Sequence, residues 1–202
     1  MSIFEQLGIA KEAGEVEAQK ISTGGPIDPG VYEARVERAY IRKSDSGARM
    51  VEIDFMVKVP NADEPRKFHN SICITAGDAK GNKPTFGVHD FKHFLQAIGD
   101  TEPETKEVTV DHFGTNTSAL AMPKLSGKTL LLGLIHEEND YNNQITIRNA
   151  VRAYLDKSGK NSDGDDLKEK LEESIEKAPL KKSKAKAKKE EVKGSDDTSG
   201  GW

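Results

Sequence analysis

Cysteine is nearly absent: Cys73 is the single one in 202 residues. One thiol excludes an intramolecular disulfide and offers no metal-ligand spacing. Set between Ile72 and Ile74 in a strand-like run, it reads as a partly buried, inert thiol. Aromatic residues are scarce at 6%, and the one tryptophan is the last residue, Trp202. No apolar run approaches the roughly 18 residues of a membrane-spanning helix. The opening MSIFEQLGIAKEAGEVEAQ has neither the basic start nor the apolar core of a secretory signal. These absences lead us to expect a cytoplasmic protein of a reducing compartment, with no membrane partner. Charge of one sign is also missing, since the formal net charge is only −4.

Charged residues are abundant instead, at 32% against 35% for the hydrophobic class. That average is too polar for a fully packed chain, so the excess must collect in segments outside the core. We expect three parts. Residues 1–25 form a weakly helical extension, with Ile3, Phe4, Leu7 and Ile9 as a small apolar face. Residues 26–155 form one domain, entered through the turn-rich stretch 22–30. Residues 156–202 form a disordered tail whose 12 lysines and 12 acids are arranged in blocks, including the basic block 181–189. Within the tail, Leu167, Leu171 and Ile175 make too thin an apolar line for a helix that stands alone in water.

The domain is organised around residues 30–59. Tyr32, Ala34 and Val36 alternate with Glu33, Arg35 and Glu37. After a turn at residues 43–47, Val51, Ile53, Phe55, Val57 and Val59 alternate with Glu52, Asp54 and Lys58. Period two means strands, so this is a long hairpin with one wet side. The phase slips near Arg38, where Ala39 and Ile41 take over the apolar side, as a bulge would require. Residues 66–76 read as a third strand, with Phe68, Ile72 and Ile74 on one face and His69, Ser71 and Thr75 on the other. Phe91, Phe94, Leu95 and Ile98 fall at helical spacing over 89–98, and Gly99 suits a left-handed cap. Residues 108–113 are a candidate short strand and 114–123 read as a loop. Residues 125–135, apolar on both faces, and 144–151, with Ile145 and Ile147 inward, form a second hairpin around a turn at 137–143. The expected fold is mainly β: a five-stranded antiparallel barrel with one short helix between strands 3 and 4. That is the element order of an OB-fold, which binds oligonucleotides across its strand face and loops. The pattern alone does not separate it from other small barrels.

Enzyme constellations are not supported. His89 and His93 have ligand spacing on the helix but lack the acid and third ligand of a zinc motif. Residues 126–129 (SGKT) lack the upstream glycine and following helix of a phosphate-binding loop. Glu52 and Asp54 read as scattered acids on a solvated strand; a nuclease would need them to converge with His89 and His93. No catalytic residue, cofactor or metal is expected.

Cations and aromatics are better placed. Arg35, Arg38, Tyr40, Arg42, Lys43 and Arg49 lie on the first hairpin, Arg66, Lys67 and His69 on the third strand, and Lys80, Lys83 and Phe86 before the helix. Tyr141, Arg148, Arg152 and Tyr154 belong to the second hairpin. Cations for phosphates and aromatic faces for bases are what single-stranded nucleic acid needs. The competing reading of each is an ordinary solvated charge or core aromatic. In the tail, Asp196 and Asp197 can mimic phosphates, and Trp202 can anchor in a partner's pocket.

The runs PIDPGVYEARVERAYIRKSDSGARMVEIDF and GNKPTFGVHDFKHFLQAIG, with the charged, aromatic-ended tail, resemble the phage-encoded single-stranded DNA-binding proteins. The resemblance implies an OB-fold protein of DNA replication and recombination that coats single strands. It also implies a tail that recruits replication proteins such as a polymerase, helicase or primase, in the host cytoplasm. This tail departs from the family by being less acidic, by the basic block before it, and by ending in tryptophan rather than phenylalanine. The alternative is a non-enzymatic β-domain that binds another protein. Monomer and dimer both stay open.

Overall fold

Alternation in the stretch from residue 30 builds the expected hairpin. In the computed structural model, which describes residues 25–141, 144–160 and 166–182, β1 (Gly30–Lys43) and β2 (Arg49–Val57) pair antiparallel. The turn between them closes with Ser44 N–H donating to Ala48 O, and Gly47 adopts φ +80°. Register slips between Val36 and Arg38. Ala34 and Val36 are buried before the slip and Ala39 after it, so the bulge keeps the core side apolar across the phase change. It also bends the strand where its neighbour changes. Residues Gly30–Arg35 of β1 pair with β6 (Thr129–Tyr141), and Tyr40–Arg42 pair with β5 (Thr115–Ala121).

The remaining elements are β3 (Arg66–Cys73), α1 (Gly87–Ala97), β4 (Lys106–His112), β7 (Gln144–Leu155), α2 (Lys168–Lys177) and β8 (Leu180–Lys181). The fold is mainly β, with one sheet of eight strands among the described residues. One path runs β3-β2-β1-β5-β4, and a branch runs from β1 to β6, which pairs with β7. All of it is antiparallel except β8, which lies parallel to β6.

Eight strands exceed the five expected. The stretch read as a loop, 114–123, is largely β5: its sequence TNTSALA carries little β-propensity, but pairing with β1 on one side and β4 on the other decides the matter. Leu125 sits in a 3-10 turn rather than a strand, and β6 runs past the expected turn at 137 to Tyr141. The β6–β7 arm therefore outreaches β1, whose pairing with β6 stops at Gly30↔Leu134. Beyond His136 and Glu137, which pair with the short β8, no described strand flanks the outer arm, so Ile145 and Ile147, expected inward, are 47% and 41% exposed.

The main core lies between one face of the sheet and α1. Val51, Ile53, Phe55, Val57, Leu130, Leu132 and Leu134 are fully buried there, with Phe94 of α1. Helical spacing places Phe94, Leu95 and Ile98 inward, and Gly99 ends the helix at φ +70°. Gly87 lets α1 start hard against β3: a Cβ there would stand 2.2 Å from Cys73 O.

A second cluster joins Ile135 and Leu155 to Leu171 and Ile175 of α2. It corrects the expectation of a disordered tail from 156. The apolar line of α2 is too thin alone, but the sheet supplies the surface it lacks. The N-terminal extension, most of the basic block 181–189, and Asp196, Asp197 and Trp202 lie outside the described residues. No helix of the described residues is long and apolar enough to cross a membrane.

Candidate functional site

Alternation puts Arg38, Tyr40 and Arg42 of β1, Glu52 and Asp54 of β2, and His69 and Ser71 of β3 on the face opposite the core. That face was expected to be wet. Instead Tyr40 is 1% exposed and Glu52 is completely buried. The β4–β5 hairpin is the cause. Although β3 and β4 end the path β3-β2-β1-β5-β4 on opposite sides, His69 of β3 has its ring 5.3 Å from that of Phe113 at the hairpin tip. Tyr40 Oη and His112 Nδ1 stand 3.0 Å apart. The sheet rolls over, and this face becomes concave and partly closed.

Inside the roll is an ionic network. His69 Nδ1 lies 2.6 Å from Asp54 Oδ1, and His69 Nε2 lies 3.1 Å from Glu52 Oε2. Arg42 Nε donates to Glu52 Oε1 at 2.8 Å, and Arg38 Nε donates to Asp54 Oδ2. The hydrogen bonds to Asp54 and then to Glu52 outweigh the desolvation of His69 and raise its pKa to about 9. Burial pushes Glu52 up, but hydrogen bonds from His69 and Ser71 and the Arg42 charge hold it below the usual carboxylate range. Asp54 follows the same pattern, with burial overridden by His69 and Arg38. His112 is pushed down by burial and the Arg42 charge. At neutral pH, therefore, two carboxylates are ionised among three cations. The network is locked rather than poised for proton transfer, and it leaves one positive charge over. Glu52 and Asp54 meet His69, not the exposed His89 and His93, and no group of three potential ligands among the described residues could hold a metal ion.

Next to this face runs a groove of about 1020 Å³ between β3 and β7. Among the described residues neither strand has a second partner on that side. His69 and Cys73 of β3, Phe86 and His93 at α1, and Arg148 and Arg152 of β7 line it. Tyr154 is part of its wall, only 8% exposed, with its Oη accepting from Asn70 Nδ2 of β3 at 2.7 Å. Phe86 is 90% exposed. Its position follows from its neighbours: Thr85 Oγ1 bonds Cys73 O and Gly87 packs on the same carbonyl, which pins the backbone and leaves the ring outside. Across the groove, Arg148 Nη2 and Lys181 Nζ reach Glu137 Oε2 and Oε1 at 2.8 and 2.7 Å. The lining holds four cations (His69, Arg148, Arg152, Lys181) against two carboxylates, Asp90 and Glu137. A chain of net charge −4 thus presents a positive groove.

Of the residues singled out from the sequence, the fold gathers Phe86, Arg148, Arg152 and Tyr154 here. Tyr154 is wall rather than stacking platform. Tyr40 is corrected likewise: buried, it cannot face a base in this conformation. Arg42 is committed to Glu52. Arg35 lines a separate hollow of about 320 Å³ with Met56 and Thr129. The Arg66 guanidinium donates to Gly25 O, and Lys67 Nζ is 3.8 Å from Glu37. Arg49 and Lys83 are exposed near one end, where Ala76 N–H donates to Lys83 O and Asp78 N–H donates to Ser46 O of the β1–β2 turn. Tyr141 ends β6. Sequence reasoning singled out His69 as a basic residue of the third strand but not as the hub, and it missed Phe113, 81% exposed. His69 had a usable signal: period two sets it on the same face as Glu52 and Asp54. In comparisons with known proteins, no protein-family model matches this chain and no curated protein matches it.

Proposed function

We propose that this chain is a sequence-tolerant single-stranded DNA-binding protein that coats strands exposed in replication or recombination. The observation that carries the reading is the groove between β3 and β7: net positive, with an exposed phenyl ring at Phe86 and cations on the facing strand. Cations there neutralise phosphates without reading sequence, and an aromatic face accepts any base. We also read the strand order β3-β2-β1-β6-β7, with α1 between the third and the last two, as an OB barrel whose β3–β7 seam stays unlaced. The β4–β5 hairpin is then an addition to it. OB barrels bind oligonucleotides across the face of their second and third strands and the adjoining loops, and β3 borders the groove. The resemblance to phage single-stranded DNA-binding proteins points the same way. Recruitment of replication proteins through Asp196, Asp197 and Trp202 is part of the proposal and rests on sequence alone.

Arg152 gives the test. It is exposed on the groove. Arg152→Ala is expected to weaken binding equally for oligonucleotides of different sequence and to reduce the slope of log affinity against log salt by about one. Unchanged affinity and slope would remove the groove from the binding path.

A further inference from the structure

Phe113 sits where a phenylalanine is expensive. β4 and β5 are joined by the two-residue loop Phe113–Gly114, with φ of +50° and +82°. Loops of that kind need positive φ at both central residues and favour Asn-Gly or Asp-Gly. A bulky side chain there strains the backbone. The ring gains little in return from burial, since the residue is 81% exposed. Strain of this kind, at an exposed aromatic, argues for a role outside the fold's own stability.

The tip is also held in place. Asp111 Oδ1 accepts Gly114 N–H at 2.6 Å, Arg38 Nη1 donates to Asp111 O at 3.4 Å, and His112 meets Tyr40 as above. The ring packs edge-on against His112 at 4.6 Å and His69 at 5.3 Å, leaving much of its surface open to solvent. His69 in turn lines the groove that Phe86 overlooks. One exposed phenyl ring, Phe113, therefore touches His69 and another, Phe86, stands on the groove that His69 lines, with the Arg38 guanidinium, half exposed, bonded to the hairpin that carries Phe113.

We infer that Phe113 is a second stacking platform: the β4–β5 hairpin tip receives an unpaired base and extends the nucleic-acid path out of the groove, past His69, onto the outside of that tip. Flanking cations favour a base with its phosphate over an apolar peptide. The inference rests on the groove binding single strands.

The test compares wild type with Phe113→Asn and Phe113→Tyr, using labelled thymine oligonucleotides of increasing length and a thermal melt of each protein. Asn suits the left-handed turn, so Phe113→Asn should melt no lower than wild type. It should still lose about tenfold in affinity for the longer oligonucleotides, with the shortest unaffected. Phe113→Tyr should bind like wild type. Two results overturn the inference and leave groove binding intact: Phe113→Asn binding every length as wild type does, or its affinity falling only together with its melting temperature. Failure of wild type to bind any oligonucleotide sinks the groove reading, and this inference with it.

Discussion

His69 decides most at the scale of single residues. Its pKa of about 9 in the fold lies above the ordinary histidine value of 6.5. A raised pKa contributes stability that is fully present below about pH 6.5 and is lost as pH climbs through 9. The ring is 29% exposed, which trims the linkage to about 2 kcal/mol. His69→Gln should thus be less stable than wild type by about that much in urea melts at pH 6, and the gap should narrow at pH 9.5. A gap that stays constant across that range would show that His69 is not charged in the network. Glu52 is the complementary case, completely buried and bonded to Arg42 and His69. Removing it strands Arg42 and leaves His69 with Asp54 alone, so Glu52→Ala should lose about 3–5 kcal/mol. In that variant an NMR titration of His69 should show its pKa displaced downward. A retained value would assign the shift to Asp54 alone.

Elements show where sequence reading reached and where it stopped. The β1–β2 hairpin, the bulge near Arg38 and the apolar faces of β3 and α1 were legible, because each repeats a period within a single segment. β5 was not, because Thr115–Ala121 becomes a strand only through partners on both sides. α2 was not either: Leu171 and Ile175 look insufficient until the outer face of β6 and β7 is known to await them. The wet face misled for the same reason, since Glu52 and Tyr40 alternate outward yet are covered by a hairpin more than 50 residues further along. Of the candidate site, Phe86, Arg148 and Arg152 were legible as cation and aromatic types. Their convergence across β3 and β7 was not. Two variants test the element-level account. Gly87→Ala improves helix propensity, but its Cβ meets backbone at Cys73 O, so a net loss of about 1–3 kcal/mol is expected in denaturant melts. A gain would mean that α1 can shift off β3. Leu171→Ala should destabilise by about 2 kcal/mol and speed amide exchange in α2 first. Unchanged exchange there would show that the helix does not depend on this contact.

Charge segregation is the argument at the scale of the whole molecule. The chain is acidic overall, yet around the groove Glu52, Asp54 and Glu137 are each bonded to cations, and the lining keeps a surplus of positive charge. A protein built this way should prefer flexible single strands, whose bases can turn toward Phe86, over a duplex that presents only its backbone. The most direct measurement is fluorescence anisotropy of a labelled thymine oligonucleotide titrated with the full chain at low and high salt, beside a duplex of equal length. The account predicts saturable single-strand binding that weakens with salt and exceeds duplex binding at every salt concentration. Absence of binding at low salt, or equal binding of the duplex, would contradict it.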